Sequence, residues 1–321
     1  MSAVILNFWS GRFGNRMYQY AYGVTYAKLR GVEFIVPSDW EGTKLFKDQH
    51  HAVIENKEFR DELNFPTLGD DGKPNPSRFD IVKKYIPNVK SIDPQSLWGY
   101  YYDGRPVTYD VICAYHYGST SKIPTIFIPQ SRSRLLKVFE FSDEVKDSES
   151  YKYWYSRKGT YDVAHLRRGD TARPGPYKVG VNHYPVMSLD SYYRAFEKFG
   201  YDKDKIEWIS DDTTNTWHKD RPVTENLGFR YPEGSIYKPG IIFDWLDDFL
   251  KMYFARTVFR GNSSFSWWAN FLSGVNAYAP VIDKRAPEGD VRPELDFDFV
   301  QGNYPHWMYT EPTPWEIIIS H

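Results

Sequence analysis

The chain has 321 residues, of which 41% are hydrophobic and 26% are charged; this excludes a disordered or low-complexity protein and allows about two domains. Its 40 Lys and Arg against 42 Asp and Glu give a net charge of -2, so the positive field of a nonspecific nucleic-acid binder is missing and we expect no nucleic-acid partner. The single cysteine, Cys113, excludes an internal disulfide and a CxxC metal site.

The chain opens with a pattern typical of a strand–helix–strand unit. A short apolar run at 3–8 predicts a buried strand, apolar residues at three- and four-residue spacing predict a helix from Asn15 to Gly31, and 32–36 predicts a second strand. The first run is far shorter than the ~20 residues of a membrane-spanning helix and lacks the basic flank of a signal peptide. We therefore expect a soluble, cytoplasmic protein without a transmembrane segment.

The next part of the first half has little periodicity. Residues 38–110 contain six prolines and show no sustained period, so we expect irregular structure with short elements there. A strand at 111–115 and a helix at 131–141 precede a polar run at 142–150. We place the domain boundary in or just after this run, which gives an N-terminal domain over 1–150.

In the second domain, over 151–321, the sequence pattern predicts a regular alternation of strands and helices. Such alternation indicates an α/β protein with a parallel sheet, which binds ligands beyond the carboxyl ends of its strands. Chemistry is therefore expected in the loops that follow residues 166, 210 and 260. The predicted strands lie at 161–166, 205–210, 257–260 and 276–281, and the helices at 188–199, at 242–255 and from about 264.

The loop after the first of these strands carries two arginines and a carboxylate. Arg167, Arg168 and Asp170 lie in the string His165-Leu-Arg-Arg-Gly-Asp170. Arginine binds phosphate oxygens in a bidentate way and stays charged at any working pH. An interdomain salt bridge is the alternative interpretation, so this loop alone does not identify a phosphate site.

The other two loops have similar ambiguity. Asp211 and Asp212 are suited to accept hydrogen bonds from a guanine edge or a ribose hydroxyl, or to cap the next helix. The string from Asn262 to Phe265 leads into a predicted helix, where free backbone N–H groups and the hydroxyls of Ser263 and Ser264 would bind an anion. A capped helix, or a glycosylation acceptor in a secreted protein, would explain the same string. Three phosphate-compatible loops in one domain together favour a nucleotide diphosphate.

These motifs, in this order and spacing, resemble those of the α-1,2-fucosyltransferase family. The likeness covers about 3–36 and 160–282, and its most specific part is the pair of strings at 165–170 and 262–268. It rests on Gly11-Arg-Phe-Gly-Asn-Arg-Met-Tyr-Gln-Tyr-Ala-Tyr-Gly23, His165-Leu-Arg-Arg-Gly-Asp170, Ser210-Asp-Asp212 and Asn262-Ser-Ser-Phe-Ser-Trp-Trp268.

The resemblance implies two Rossmann-like domains that face each other across a cleft, the GT-B arrangement. It implies inverting transfer of L-fucose from GDP-fucose to a hydroxyl of an acceptor glycan, with no cofactor and no metal. The partners would be a GDP-sugar bound mainly by the second domain and a glycan on the side of the first. Vertebrate members carry an N-terminal membrane anchor, so its absence favours a bacterial or viral type.

The resemblance also implies roles for single residues. Arg167 would act on the diphosphate, and Asp170 is by position a candidate general base, unless it only holds one of the two arginines. The chain departs from the family at Arg12, Arg16 and Arg260-Gly261. The remaining substrate-binding residues would be His165 and Arg168 near the nucleotide, Asp211 and Asp212 near guanine or ribose, Asn262, Ser263, Ser264 and Phe265 around the phosphates, and Gly14, Asn15 and Gln19 at the cleft.

Three alternatives stay open. Asp296-Phe297-Asp298 has the D-x-D spacing that other glycosyltransferases use for a divalent ion, although Leu295, Phe297 and Phe299 alternate as in a strand with a solvated face. Another GDP-activated sugar would use the same phosphate and guanine loops. A non-catalytic carbohydrate- or nucleotide-binding module would account for the 18% aromatic content.

Overall fold

The chain divides into two compact units, Met1–Ser142 and Asp143–His321. The polar run at 142–150, in which we expect the boundary, is largely helical. A computed structural model describes residues 3–6, 12–36, 40–47, 49, 52–53, 58, 84, 90–92, 109–112, 133–167, 186–210, 243, 245–282 and 294–303.

The first unit contains the predicted strand–helix–strand motif. Strand β1 (Ala3–Leu6) is followed by helix α1 (Phe13–Arg30) and strand β2 (Glu33–Val36). The helix ends at Gly31, which adopts a φ of 65° that favours glycine, and the Gly31 N–H donates to the Lys28 carbonyl at 3.2 Å. The predicted apolar face of α1 is buried at Met17, Tyr20, Ala21, Val24 and Ala27.

A five-stranded parallel sheet forms the centre of this unit, in the order β3-β2-β1-β5-β4. The elements within the region of many prolines are short, as predicted, and residues 133–138 are helical. Most of residues 38–110 lies outside the described part of the chain. The added elements are helix α2 (Gly42–Leu45) and strands β3 (Ala52–Val53), β4 (Lys90–Ile92) and β5 (Tyr109–Ile112).

The second unit contains another five-stranded sheet, in the order β12-β10-β9-β6-β8. Four of these strands are parallel, and β12 is antiparallel to β10. Strands β7 and β11 form a separate two-stranded sheet. The strands are β6 (Asp162–Leu166), β7 (Val186–Met187), β8 (Ile206–Ser210), β9 (Thr257–Phe259), β10 (Asn276–Pro280), β11 (Glu294–Leu295) and β12 (Phe299–Gln301).

Helices cover this sheet, and three of the described helices begin at a serine whose hydroxyl caps the first turn. The Ser188 hydroxyl accepts from the Ser191 N–H at 3.1 Å, which fixes the start of α5. The same arrangement begins α4, where Ser148 accepts from Tyr151. The helices are α3 (Asp143–Asp147), α4 (Glu149–Ser156), α5 (Leu189–Phe199), α6 (Leu246–Phe254) and α7 (Ser264–Ser273), with a 3₁₀ turn at Lys203–Lys205.

The core of the second unit is aromatic and centred on β6. All five residues of β6 are buried, as expected for a parallel strand covered on both faces. Phe196 of α5 packs edge-on against Phe259 of β9, and Phe259 stacks on Tyr278 of β10 with ring centroids 4.7 Å apart. The predicted α/β class, with two Rossmann-like units, is confirmed, and the cleft between them stays a prediction. Within the described ranges, no helix is both long and apolar enough to span a bilayer.

Candidate functional site

The carboxyl edge of the second sheet brings two of the three predicted loops together. Strand β6 lies between β9 and β8, and its register places Ala164 opposite Phe259 and Leu166 opposite Ser210. The chain that leaves β6 at Arg167 therefore runs beside the chain that leaves β9. This is the edge at which parallel sheets bind their ligands.

Gly261 allows these two segments to approach each other closely. A Cβ atom at this position would lie 2.7 Å from the His165 carbonyl oxygen and 3.5 Å from the Arg167 Cβ. The first distance is too short for a real Cβ, and the atom in the way belongs to the backbone of β6. Glycine is therefore required here by the close packing of the two loops, which gives a physical reason for the residue that departs from the family pattern.

Arg167 is held on the neighbouring loop. Its Nη1 donates a hydrogen bond of 2.8 Å to the backbone carbonyl of Asn262. A guanidinium carries five N–H donors in a fixed plane, so a bond to one nitrogen orients the whole group. The side chain thus has a defined direction at the sheet edge.

The side chain of Asn262 lies beside this bond and is buried, with only 3% of the residue exposed. Its Oδ1 has no hydrogen-bond partner in the described part of the chain. A buried acceptor without a partner costs about 1–3 kcal/mol, so such an atom calls for an explanation.

Ser263 is the N-cap of α7, and its hydroxyl accepts from the Phe265 N–H at 3.2 Å. The expectation of free N–H groups at this helix start is thus wrong for Phe265, and the alternative of a capped helix is confirmed there. Ser264 is the first residue of α7 and is buried with Ser263. The positive end of the α7 dipole still lies at this edge.

The aromatic ring of Phe265 has a packing role. It contacts the rings of Phe249 and Trp245 with centroid distances of 5.3 and 5.8 Å, and that of His165 at 6.2 Å. His165 is itself buried, and its carbonyl accepts a 2.7 Å hydrogen bond from the Tyr192 hydroxyl. The Phe265 ring therefore packs within the second unit, and the role of this segment around the phosphates stays a prediction.

Four predicted site residues, Arg168, Asp170, Asp211 and Asp212, lie outside the described residues. Three more belong to the first unit at the start of α1: Gly14 and Gln19 are buried, and Asn15 is partly exposed.

Arg16, one of the departures from the family pattern, forms a 3.0 Å salt bridge with Glu41. This pairing gives Arg16 a structural role within the first unit.

The D-x-D string is part of the packing of α5. Asp296 and Asp298 are exposed, whereas Phe297 and Phe299 are buried, so the interpretation as an alternating, solvated face is confirmed. Asp296 accepts from the Ser188 hydroxyl and pairs with Arg194 at 3.2 Å. In the described ranges no three His, Cys, Asp or Glu residues are grouped so as to hold a metal ion.

Comparisons with known proteins give distant structural neighbours only. No family model and no curated protein matches the chain. FUT1 of Arabidopsis thaliana, a mutant in complex with GDP, is 10% identical with a TM-score of 0.48, over 93% of this chain and 73% of that one. NodZ α-1,6-fucosyltransferase from Bradyrhizobium, co-crystallised with GDP, is 14% identical with a TM-score of 0.47, over 94% of this chain and 99% of that one.

A third neighbour, POFUT1 in complex with GDP, is 13% identical with a TM-score of 0.41, over 85% of this chain and 95% of that one. Similarity at this level does not assign an activity, because unrelated activities share folds. Membership of the α-1,2-fucosyltransferase family, which the sequence motifs imply, stays a prediction.

Proposed function

We propose that the chain is an inverting glycosyltransferase that moves L-fucose from GDP-fucose to a hydroxyl of an acceptor glycan. The α-1,2 linkage is the one that the sequence resemblance implies. The donor would bind at the carboxyl edge of the second sheet, with its diphosphate against Arg167 and the start of α7. No metal or cofactor is part of the proposal.

The observation that carries the proposal is the pair formed by Arg167 and Asn262. Arg167 supplies a fixed cation, which suits the oxyanions of a diphosphate. The buried Asn262 Oδ1 lacks a partner among the described residues and requires a hydrogen-bond donor. Inorganic phosphate or pyrophosphate at neutral pH offers mainly acceptors, whereas a sugar nucleotide offers both phosphate oxygens and hydroxyl or ring N–H donors. The pair therefore favours a sugar nucleotide over a simple anion.

The same pair would supply transition-state stabilisation in the proposed reaction. As the anomeric bond breaks, the departing GDP gains negative charge. Arg167 is already oriented by the Asn262 carbonyl at 2.8 Å, so it stabilises this charge without reorganisation. Such a donor binds the transition state more strongly than the ground state and raises turnover.

The remaining residues have roles that follow from the resemblance. Asp170 is the candidate base for the acceptor hydroxyl, and Arg168 supports the nucleotide. Asp211 and Asp212 would bind guanine or ribose, and His165 would lie near the nucleotide as part of the support. The acceptor glycan would bind on the side of the first unit, where Gly14, Asn15 and Gln19 are the candidates.

A panel of sugar nucleotides tests the proposal without knowledge of the acceptor. GDP-fucose, GDP-mannose, UDP-glucose and UDP-galactose would each be incubated with the protein in excess EDTA, and slow release of free nucleotide would be measured. The expected result is GDP release from GDP-fucose alone. Release from another GDP-sugar would overturn the fucose assignment, and tight GDP binding without turnover, even with a set of acceptor glycans, would favour the binding module.

A further inference from the structure

Arg260, the residue that follows strand β9, is completely buried. Its backbone N–H donates to the Tyr278 carbonyl at 2.9 Å, which keeps this residue paired with β10. Its guanidinium Nη1 donates to the Asn303 Oδ1 at 2.8 Å. Asn303 is 43 residues further along the chain, so a distant segment holds the first residue of the loop.

Asn303 also holds helix α7. Its Nδ2 donates to the Trp267 carbonyl at 3.2 Å, and the Trp267 indole Nε1 donates to the Asn303 carbonyl at 3.1 Å. We call Arg260, Trp267 and Asn303 the Asn303 clamp. Through it one residue is bonded to both ends of the segment between β9 and the first turn of α7.

The residues inside this segment are the ones that form the candidate site. Gly261 packs against the backbone of His165, and the Asn262 carbonyl accepts from Arg167. Any shift of the segment would move the oxygen that orients the guanidinium. Catalysis depends on such placement, because a displacement of about 1 Å can cost on the order of a hundredfold in rate.

We propose that Asn303 is a positioning residue for the Arg167 and Asn262 pair. A buried guanidinium stabilises a fold only when its N–H groups are bonded, and an apolar side chain fills the same space without that requirement. Directional hydrogen bonds do what apolar packing cannot, because they fix the orientation of the backbone that carries them. The clamp therefore serves geometry at the site more than stability. The proposal rests on the proposed function for its kinetic part only.

Three variants test it. Asn303→Ala removes both side-chain bonds of the clamp. Asn303→Asp keeps an acceptor for Arg260 but replaces the donor to the Trp267 carbonyl with a second acceptor. Gln301→Ala is the matched control, because this exposed side chain lies two residues earlier and bonds only Asn276 among the described residues, at 3.1 Å.

The first readout is hydrogen–deuterium exchange, which needs no ligand. Asn303→Ala is expected to raise amide exchange in residues 261–265 and to leave β8 unchanged, while Gln301→Ala leaves both at the wild-type level. Wild-type exchange in residues 261–265 of Asn303→Ala would overturn the clamp. This result is independent of what the protein binds.

The second readout is the kinetics of GDP release from GDP-fucose. Asn303→Ala is expected to lower kcat by roughly tenfold to a hundredfold, with KM changed less than threefold, because positioning acts on the transition state. Asn303→Asp is expected to recover most of the lost rate. A kcat in Asn303→Ala equal to wild type would overturn the positioning role, whereas a wild type that releases no GDP would count against the proposed function and leave the exchange result standing.

A double variant keeps the proposal testable if Asn303→Ala does not fold. Should Asn303→Ala unfold because the Arg260 charge is left buried, Arg260→Met combined with Asn303→Ala removes the charge together with its acceptor. We expect this double variant to fold and still to show the lowered kcat. A folded double variant with wild-type kcat would overturn the proposal.

Discussion

The described contacts of polar side chains differ between the two edges of the second sheet. At the amino edge, Glu207 of β8 pairs with Arg157 and, at 3.1 Å, with the buried Lys251. Asp162, the first residue of β6, pairs with Arg256. At the carboxyl edge, the guanidinium of Arg167 bonds a neutral backbone carbonyl, and the nearby Asn262 Oδ1 has no partner within the described ranges.

This difference suggests that residues at the amino edge contribute to stability and residues at the carboxyl edge to the proposed function. Charges at the amino edge are matched by opposite charges within the same unit, as buried ions must be to be tolerated. At the carboxyl edge, Arg167 is oriented by a hydrogen bond and the Asn262 Oδ1 lacks a partner among the described residues, as the proposed donor site requires. Substitutions at the amino edge should therefore change stability, and those at the carboxyl edge should change binding and turnover.

The sharpest test of the comparison is Arg167→Ala. Loss of one preorganised donor commonly costs about 2.7–4 kcal/mol in the transition state, so turnover of GDP-fucose should fall by about 100-fold or more. The melting temperature should stay close to wild type. Arg194→Ala is the matched control, because that half-exposed arginine pairs with Asp296 away from the sheet edge. An Arg167→Ala variant that keeps more than half of the wild-type rate would contradict the assignment.

Glu207→Ala, at the amino edge, should lower the free energy of unfolding and leave GDP binding unchanged. It leaves the buried Lys251 without its carboxylate, which costs about 3 kcal/mol, the lower end for a broken buried pair because Glu207 is partly exposed. Urea denaturation would measure this loss, and GDP affinity measured well below the new melting temperature should be unchanged. A weaker affinity in the folded variant would mean that the two edges are coupled.

Asn262→Leu should raise stability and lower affinity at the same time. Removing a buried acceptor without a described partner relieves a cost of about 1–3 kcal/mol, whereas the ligand loses one hydrogen bond, worth roughly a tenfold change in Kd. Urea denaturation and titration calorimetry with GDP would measure the two effects.

Asn270→Leu is the comparison for that variant. Asn270 is equally buried within α7, its Nδ2 donates to the Ser266 carbonyl at 3.0 Å, and its Oδ1, like that of Asn262, has no partner among the described residues. This variant should leave GDP affinity unchanged. Equal affinity losses in both variants would remove the special status of Asn262.

The smallest expected effect is a pH dependence of stability near the amino edge. Burial raises the pKa of Tyr161 well above its usual value of 10.0, and the protonated hydroxyl donates to the Lys251 carbonyl at 2.8 Å. Because the folded state holds this proton more tightly, the contribution is fully present below about pH 10 and is lost as pH rises toward the folded-state pKa.

Tyr161→Phe should therefore flatten the alkaline decline in stability. One proton corresponds to about 1.4 kcal/mol per pH unit above the unfolded-state pKa. Urea denaturation between pH 8 and 11.5 would measure the slope. Some slope should remain, because burial also raises the pKa of Tyr20. An unchanged slope in Tyr161→Phe would show that other groups dominate the alkaline decline.

The sequence was most informative where local pattern decides structure. Sequence pattern predicted β6, β8, β9 and α5 to within about two residues at each end, and the start of α7, because buried parallel strands and amphipathic helices are encoded locally. The position of Arg167 at the sheet edge followed from the end of β6. These predictions needed no knowledge of distant contacts.

Features that depend on tertiary packing were not predictable in this way. The contact between Gly261 and the His165 backbone, the packing of the Phe265 ring and the clamp at Asn303 join segments far apart in the chain. Asn303 is an ordinary asparagine in the sequence, and only its bonds to Arg260 and Trp267 single it out. Of the clamp residues, only Arg260 could have been singled out from the sequence, because an arginine directly after a buried strand needs a hydrogen-bond or charge partner.

The bond between Arg167 and the Asn262 carbonyl joins residues 95 positions apart. A ribosome that adds 5–20 residues per second needs roughly 5–20 s to make the second partner after the first. During that interval the growing chain contains Arg167 without the loop that orients it. The Asn303 clamp cannot form until Asn303 itself has been added. Full turnover in the proposed mode therefore begins only once synthesis has passed the end of β12, because the segment that orients Arg167 is not held in place before Asn303 is made.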